Sequence, residues 1–208
     1  MRRREILCAA GGLAILSTSP LAAFAAAAAG SVVGLVGQCV AQRDGRSIPL
    51  KLGDPVAVSD TVVVPVDGKL KLRMDDGSVI SLAAGSTMTL ATYQSDAGGK
   101  RQNTQLSLAQ GLLRAVVAPV DHPSTFEVST AVGTAAVRST DWFIEAKPGS
   151  AQVGVLTGSV VLTSAATRQA VTIPERWGAR LEAGRDPVGA RVWAPQEFQA
   201  VISRTDVP

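Results

Sequence analysis

Residues 69–82 have the sequence Lys-Leu-Lys-Leu-Arg-Met-Asp-Asp-Gly-Ser-Val-Ile-Ser-Leu. Apolar and polar residues alternate in the run before the Asp-Gly pair, and a second β-rich run follows it. A period of two is typical of a strand with one buried face. Asp and Gly tolerate the positive φ that tight hairpin turns need, so Asp76-Gly77 predicts a turn. The stretch therefore predicts a β-hairpin.

The same pattern continues along most of the chain. Short runs rich in β-branched or alternating residues, separated by Gly, Asp and Pro, predict further strands at 31–36, 61–64, 87–91, 104–108, 111–117, 125–129, 135–138, 142–145, 152–156, 159–163 and 169–173. Because no helical pattern intervenes, the predicted fold class is all-β, with many short strands in one domain. Two arrangements stay open, a β-solenoid-like stack and two packed antiparallel sheets, and a weak echo of 37–72 in 158–181 favours the first.

Only the C-terminal part of the sequence indicates a helix. Pro195 suits a first-turn position, and Phe198, Val201 and Ile202 share one face of the helix that would follow. We therefore expect the β domain to cover 30–193 and a short helix with a tail to cover 194–208.

The first 29 residues have the layout of a secretory signal. Arg2 to Arg4 precede a small, apolar run that extends to Ala29 and contains Pro20 near its end. The run has too few strongly apolar residues for a membrane span, so we expect cleavage near Ala23-Phe24-Ala25 or in the following alanines. The arginines fit twin-arginine export as well as general secretion. The sequence therefore predicts an exported, periplasmic protein with no transmembrane segment after signal cleavage.

Charge and cysteine content limit the function of the remaining chain. The full chain has a formal charge of +3, and the signal segment contains three arginines and one glutamate, so about +1 is left. A nearly neutral domain without a run of Lys and Arg lacks the basic surface that nucleic-acid binding needs. Cys39 is the one cysteine outside the signal segment, so no internal disulfide is expected. Its apolar surroundings predict a buried side chain rather than a reactive thiol.

Several short motifs follow one another in a fixed order between residues 33 and 160. They are Leu52-Gly-Asp-Pro-Val56, Asp60-Thr-Val62, Leu72-Arg-Met-Asp-Asp-Gly-Ser-Val-Ile-Ser-Leu82, Leu108-Ala-Gln-Gly-Leu-Leu-Arg114, Phe126-Glu-Val-Ser-Thr-Ala131, Ala136-Val-Arg-Ser-Thr-Asp-Trp-Phe143 and Val155-Leu-Thr-Gly-Ser-Val160. In this order they resemble the periplasmic FecR domain. One departure is Ser139, which stands where that family usually has glycine and makes the turn after Arg138 less permissive.

The resemblance implies a non-catalytic module for binding or sensing in the bacterial cell envelope, in a signalling or regulatory assembly. For the best-known members it also implies a cytoplasmic anti-sigma segment and a membrane span ahead of the domain, whereas here a signal segment stands in that place. The expectation is a stand-alone periplasmic member. Its partner would be an envelope protein, or a cell-wall or small-molecule ligand, bound by a sheet edge or a loop.

The residues themselves offer little for catalysis, and we expect no enzyme, no cofactor and no metal site. His122 is the only histidine and lies in a turn, so zinc and Ser-His-Asp chemistry lack parts. Asp75-Asp76 is better explained by the hairpin turn than by calcium binding. The alternative is a carbohydrate-processing or other hydrolytic β protein, for which Glu127 and Glu145 would be the carboxylate pair.

Arg138, Asp141 and Trp142 are the candidate recognition residues, because the densest FecR-like motif falls there. Arg138 would offer a forked donor and Trp142 a rigid apolar face to a partner. The structural alternative is that Arg138 and Asp141 close the turn while Trp142 and Phe143 divide between core and surface.

Overall fold

The computed structural model describes residues 28–96 and 98–207, so the predicted signal segment lies outside the described residues except for Ala28 and Ala29. The described chain forms seventeen strands and one helix: β1 (Ala28–Val36), β2 (Val40–Arg43), β3 (Arg46–Pro49), β4 (Pro55–Ala57), β5 (Thr61–Val63), β6 (Lys69–Met74), β7 (Val79–Leu82), β8 (Thr87–Ser95), β9 (Arg101–Val116), β10 (Thr125–Ser129), β11 (Gly133–Val137), β12 (Asp141–Lys147), β13 (Ser150–Thr157), β14 (Ser159–Ser164), β15 (Ala170–Pro174), β16 (Trp177–Glu182), β17 (Arg191–Val192) and α1 (Pro195–Thr205).

The strand pairs form two continuous series that share the long strand β9. Sheet A has the order β4-β1-β6-β7-β9-β12-β13-β16-β17, and sheet B has the order β3-β2-β5-β8-β9-β10-β11-β14-β15. All pairs are antiparallel except β9 with β10, which is parallel. The parallel pair arises because the segment 117–124 returns along the length of β9 before β10 begins.

The chain crosses between the sheets in a repeated unit. A strand of sheet A is followed by a hairpin of sheet B, and the next strand of sheet A pairs antiparallel with the first. This unit occurs as β1 to β4 and again as β13 to β16, which coincide with the echoing ranges 37–72 and 158–181 only in part. The fold is therefore two packed sheets whose strands are added progressively, as in a stack.

Strand β9 passes from one sheet to the other without a break. Residues 101–110 pair with β8 in sheet B, and residues 111–116 pair with β7 and β12 in sheet A. Gly111 adopts φ +97° at the transition, and a Cβ there would lie 2.3 Å from Ser86 Oγ. The sequence predicts two strands here, because it shows the glycine but not the continuous pairing across it.

The main core lies between the inner faces of the two sheets. Leu72, Ile80 and Trp142 of sheet A and Leu106 and Phe126 of sheet B belong to one cluster of buried side chains. Cys39 belongs to the same cluster at 1 % exposure, and burial raises the pKa of its thiol to about 11. The prediction of a buried cysteine is confirmed.

Helix α1 and the tail cover the outer face of sheet A. A second apolar cluster forms there around Phe143, Trp193 and Val201. Lys69 and Lys71 of β6 donate to backbone oxygens of residues 203, 206 and 207 at 2.6–2.9 Å. The helix begins at Pro195 as predicted, and Glu197 accepts a hydrogen bond from the backbone N–H of Ala194.

Candidate functional site

The three predicted recognition residues do not form one surface. Trp142 is fully buried in the main core, because the alternation of β12 turns residues 142 and 144 inward. Asp141 receives two hydrogen bonds from Arg114, at 2.8 and 3.0 Å, and not from Arg138. Arg138 alone is exposed. The apolar face of Trp142 is therefore not offered to a partner in this fold, and recognition at Arg138 stays a prediction.

Arg138 lies at one end of a groove on the outer face of sheet B. The cavity has a volume of about 520 Å³, and its walls come from the start of β10, the end of β11 and the turn before β14. Its floor contains one cross-strand row in which Glu127, Ala136 and Val161 lie opposite one another on β10, β11 and β14. Because alanine stands between two longer side chains, the surface is concave along β11.

No described residue neutralises the charged groups of this groove. Within residues 28–96 and 98–207, Arg138 and Glu127 have no ion-pair partner and no side-chain hydrogen bond. Most other lining residues carry hydroxyl groups or short apolar side chains: Ser124, Thr125, Ser139, Thr140, Ser159, Ala136 and Val161. A guanidinium and a carboxylate over such a surface leave strong donors and acceptors for a ligand.

The carboxylate pair of the hydrolase alternative is split between the two outer faces. Glu127 projects from sheet B, because its neighbours Phe126 and Val128 point into the core. Glu145 projects from the opposite side of sheet A, where Arg204 of α1 donates to it at 2.8 Å. Glycosidase carboxylates have to lie within about 10 Å of each other on the same cleft. These two cannot act as such a pair.

A buried ion pair joins the β6–β7 turn to the start of β9. Arg101 binds the carboxylate of Asp76, and both side chains are almost fully buried. Arg101 also donates to Ser78 Oγ and to the carbonyl of Ala118, both at 3.1 Å. Asp76 accepts further bonds from the backbone and hydroxyl of Ser78. Asp76 is thus a turn residue, as predicted, but no sequence signal pointed to its pairing with Arg101.

His122 holds the exposed loops next to this ion pair. One ring nitrogen lies 2.7 Å from the carbonyl oxygen of Arg101 and the other lies 3.1 Å from Asp121 Oδ1. The hydrogen bond with Asp121 and the one with the Arg101 carbonyl raise the pKa of His122. Lys100, followed by His122, lowers the pKa of Asp121 to about 2. The sequence places His122 in a turn, but no sequence signal indicates these contacts. The described residues contain no cluster of three or more His, Cys, Asp or Glu that could hold a metal ion.

Comparison with known proteins gives the family of the central region. Residues 60–161 match the family model described as FecR protein. The chain contains a FecR domain. The matched range runs from Asp60 to Val161 and includes Arg138 and the floor of the groove, whereas the resembling stretch 33–59 lies outside it.

Solved structures share the fold of this FecR domain. Two crystal structures of a candidate anti-sigma factor from Parabacteroides distasonis ATCC 8503 superpose with a TM-score of 0.56, at 16 % and 17 % identity. The superposition covers 67 % of this chain and 63 % or 62 % of those chains, so it spans less than two thirds of their length. No curated protein matches the chain significantly. Among the described residues, no helix is long and apolar enough to cross a membrane.

Two turns of the FecR domain form the end wall of the groove. Gly158 adopts φ +89°, and a Cβ there would lie 2.9 Å from the carbonyl oxygen of Ser139 and from Thr140 Oγ1. Ser139 itself is not among the residues with positive φ. The serine at the position of the usual family glycine is therefore accommodated without backbone strain, while the glycine requirement falls on residue 158.

Proposed function

We propose that this protein is an exported, non-catalytic module of the bacterial envelope that binds a partner protein in a signalling or regulatory assembly. The FecR match and the fold shared with candidate anti-sigma factors support a regulatory role. The separation of Glu127 from Glu145 and the burial of Cys39, which raises the pKa of its thiol, favour binding over catalysis.

The observation that carries the proposal is the difference between the two outer faces. On sheet A, α1 and the tail cover the strands and form ion pairs with them. On sheet B, the face over β10, β11 and β14 bears the groove with Arg138 and Glu127, which form no ion pair with another described residue. Charged groups that the protein leaves unpaired at a concave surface are suited to a partner of complementary charge.

The proposal includes export and removal of the N-terminal segment. Ala29 is fully buried, and Ala28 pairs with Ala57 in the register of β1 and β4. Cleavage between Ala25 and Ala28 would remove the apolar segment and keep this pairing. We expect the intact mass of periplasmic protein to correspond to a chain that begins at residues 26–28. A mass that retains Met1, or a product that stays in the membrane, would contradict export with cleavage.

A groove-filling variant tests the binding face. Ala136→Arg places a long, charged side chain on the floor of the groove. Val66→Arg is the control, because it introduces the same side chain at a position that is 88 % exposed. The purified variants are immobilised and incubated with a detergent extract of bacterial envelopes, and the retained proteins are identified by mass spectrometry. We expect the wild type and Val66→Arg to retain the same protein and Ala136→Arg to lose it. Equal retention by all three, with folding intact, would show that this face is not the binding site.

A further inference from the structure

The groove continues from Arg138 along the whole of β11. A second cavity of about 380 Å³ lies on the same face and is lined by Glu127, Thr134, Ala136, Thr163, Ser164, Ala165 and Arg168. Glu127 and Ala136 belong to the walls of both cavities. The two cavities therefore form one channel-like surface, with Arg138 at one end, Arg168 at the other and Glu127 between them.

The strand register sets the spacing of these charges. Thr134 lies opposite Ser129 and Thr163 at the end near Arg168, and Ala136 lies opposite Glu127 in the middle. Arg138 follows two residues after Ala136, directly beyond the last residue of β11. A strand rises about 3.3 Å per residue, so Arg138 and Thr134, which lines the same cavity as Arg168, are roughly 13 Å apart along the chain. This is the distance from residue i to residue i+4 of an extended peptide, with residue i+2 facing the same side.

The far end of the groove is held in place by its own turn. Ser164 Oγ donates to the carbonyl of Arg185 at 2.8 Å, and the backbone N–H of Arg168 donates to the carbonyl of Ser164 at 3.1 Å. Arg168 adopts φ +63° in this turn. Like Arg138, it is exposed and makes no ion pair with any described residue.

The order of charges selects one class of ligand. Each guanidinium can bind a carboxylate through two parallel hydrogen bonds, whereas Glu127 repels an anion and favours a cation or an N–H donor. A uniformly anionic polymer would place a negative charge against Glu127. Among the described residues that line the groove, a sugar chain would find no exposed aromatic ring, because Phe126, the one aromatic residue there, is 1 % exposed. A peptide can carry the alternation of negative, positive and negative side chains.

We propose that the groove binds an extended peptide segment with acidic side chains at positions i and i+4 and a basic side chain at i+2. This inference rests on the proposed function and names the chemistry of the partner. The acidic side chains contact Arg138 and Arg168, and the basic side chain contacts Glu127.

Fluorescence anisotropy with synthetic peptides tests the spacing. The first labelled peptide is Thr-Glu-Ser-Lys-Ser-Glu-Thr, and the second, Thr-Ser-Glu-Glu-Lys-Ser-Thr, has the same composition with adjacent glutamates. We expect tighter binding of the first peptide by the full protein, with a loss of affinity at high salt. Arg138→Gln and Arg168→Gln should each weaken it about tenfold, which corresponds to about 1.4 kcal/mol.

Arg180→Gln is the matched control, since Arg180 is an exposed arginine on β16 of sheet A and lies outside the groove. Equal affinity for both peptides, or equal weakening by all three variants, would overturn the proposal. If the peptide does not bind while Ala136→Arg still abolishes capture of a partner, the peptide class is wrong and the proposed binding face stands. Binding of an acidic polysaccharide that requires both groove arginines would likewise overturn the peptide assignment.

Discussion

Gly158 is the residue on which the end wall of the groove depends most directly. Its φ of +89° is costly for any residue with a Cβ, and the space that a Cβ would need is occupied by Ser139 and Thr140. Gly158→Val should therefore lower the free energy of unfolding by more than about 1 kcal/mol. Gly189→Val is the control, because Gly189 has no positive φ and a Cβ there would have no heavy atom within 4 Å. Urea unfolding curves that coincide for the two variants would contradict the predicted strain.

His122 makes the stability of the neighbouring loops depend on pH. Its pKa is raised in the folded protein, so the ring binds a proton more tightly in the folded state than in the unfolded state. The resulting stabilisation is complete below the unfolded pKa of about 6.5 and is lost as pH rises through the higher folded value. We expect amide exchange in residues 98–101 and 119–122 to quicken over that range, beyond the intrinsic effect of pH.

His122→Gln supplies the reference for this prediction, since glutamine does not titrate. After correction for intrinsic exchange, the variant should show no such step with pH. A step of equal size in both proteins would assign the pH dependence to another group. The pH dependence of stability has the opposite sign for Asp121. Because its pKa is lowered in the folded protein, its contribution to stability is present above about pH 4 and is lost as pH falls towards 2.

Among the elements, the β6–β7 turn and the start of β9 are joined by the buried pair of Asp76 and Arg101. Removal of one partner leaves the other charge buried without compensation. Arg101→Met should therefore destabilise the protein by about 3 to 5 kcal/mol. The double variant Arg101→Met with Asp76→Asn removes both charges and should recover part of that loss in thermal unfolding. A double variant less stable than Arg101→Met would show that Asp76 contributes mainly through Ser78.

Helix α1 is held on sheet A chiefly by its aromatic contacts. The ring of Trp193 lies 5.3 Å from that of Phe143 and 5.5 Å from that of Phe198, measured between centroids. Trp193→Ala leaves a large cavity between helix and sheet and should cost about 3 to 5 kcal/mol. In this variant the apolar cluster around Phe143 becomes exposed, and it should bind a hydrophobic dye. Trp177→Ala is the control, because Trp177 is 36 % exposed and should cost much less. Equal losses for the two variants would contradict this account of helix docking.

At the scale of the whole molecule, alternation and turn residues were sufficient to predict an all-β fold. The strand at 69–74 and the strand at 125–129 have the predicted bounds. Strands β2, β3 and β4 were not predicted as separate strands, because they have only three or four residues and show little alternation. Their pairing with neighbours far along the chain stabilises them, and local sequence does not reveal such contacts.

The candidate site was predictable only in part. The family-like motif drew attention to Arg138, which does line the groove, and to Trp142, which alternation alone could have placed in the core next to the outward Phe143. Arg168 was missed because it lies in an irregular turn, and only the register of β11 and β14 brings it to the same groove as Arg138. The concave floor was missed because it depends on strand register as well. Ala136 forms a depression only because the longer side chains of Glu127 and Val161 lie beside it on neighbouring strands.

Photo-cross-linking in the bacterial envelope tests most directly whether the uncovered face of sheet B binds the partner. Benzoylphenylalanine is placed singly at Val161 in the groove, at Ile48 on edge strand β3 and at Val192 on edge strand β17; these residues are 40 %, 39 % and 61 % exposed. We expect a cross-linked product with a second protein from position 161 and none from positions 48 and 192. Products from an edge strand with none from position 161 would contradict this expectation.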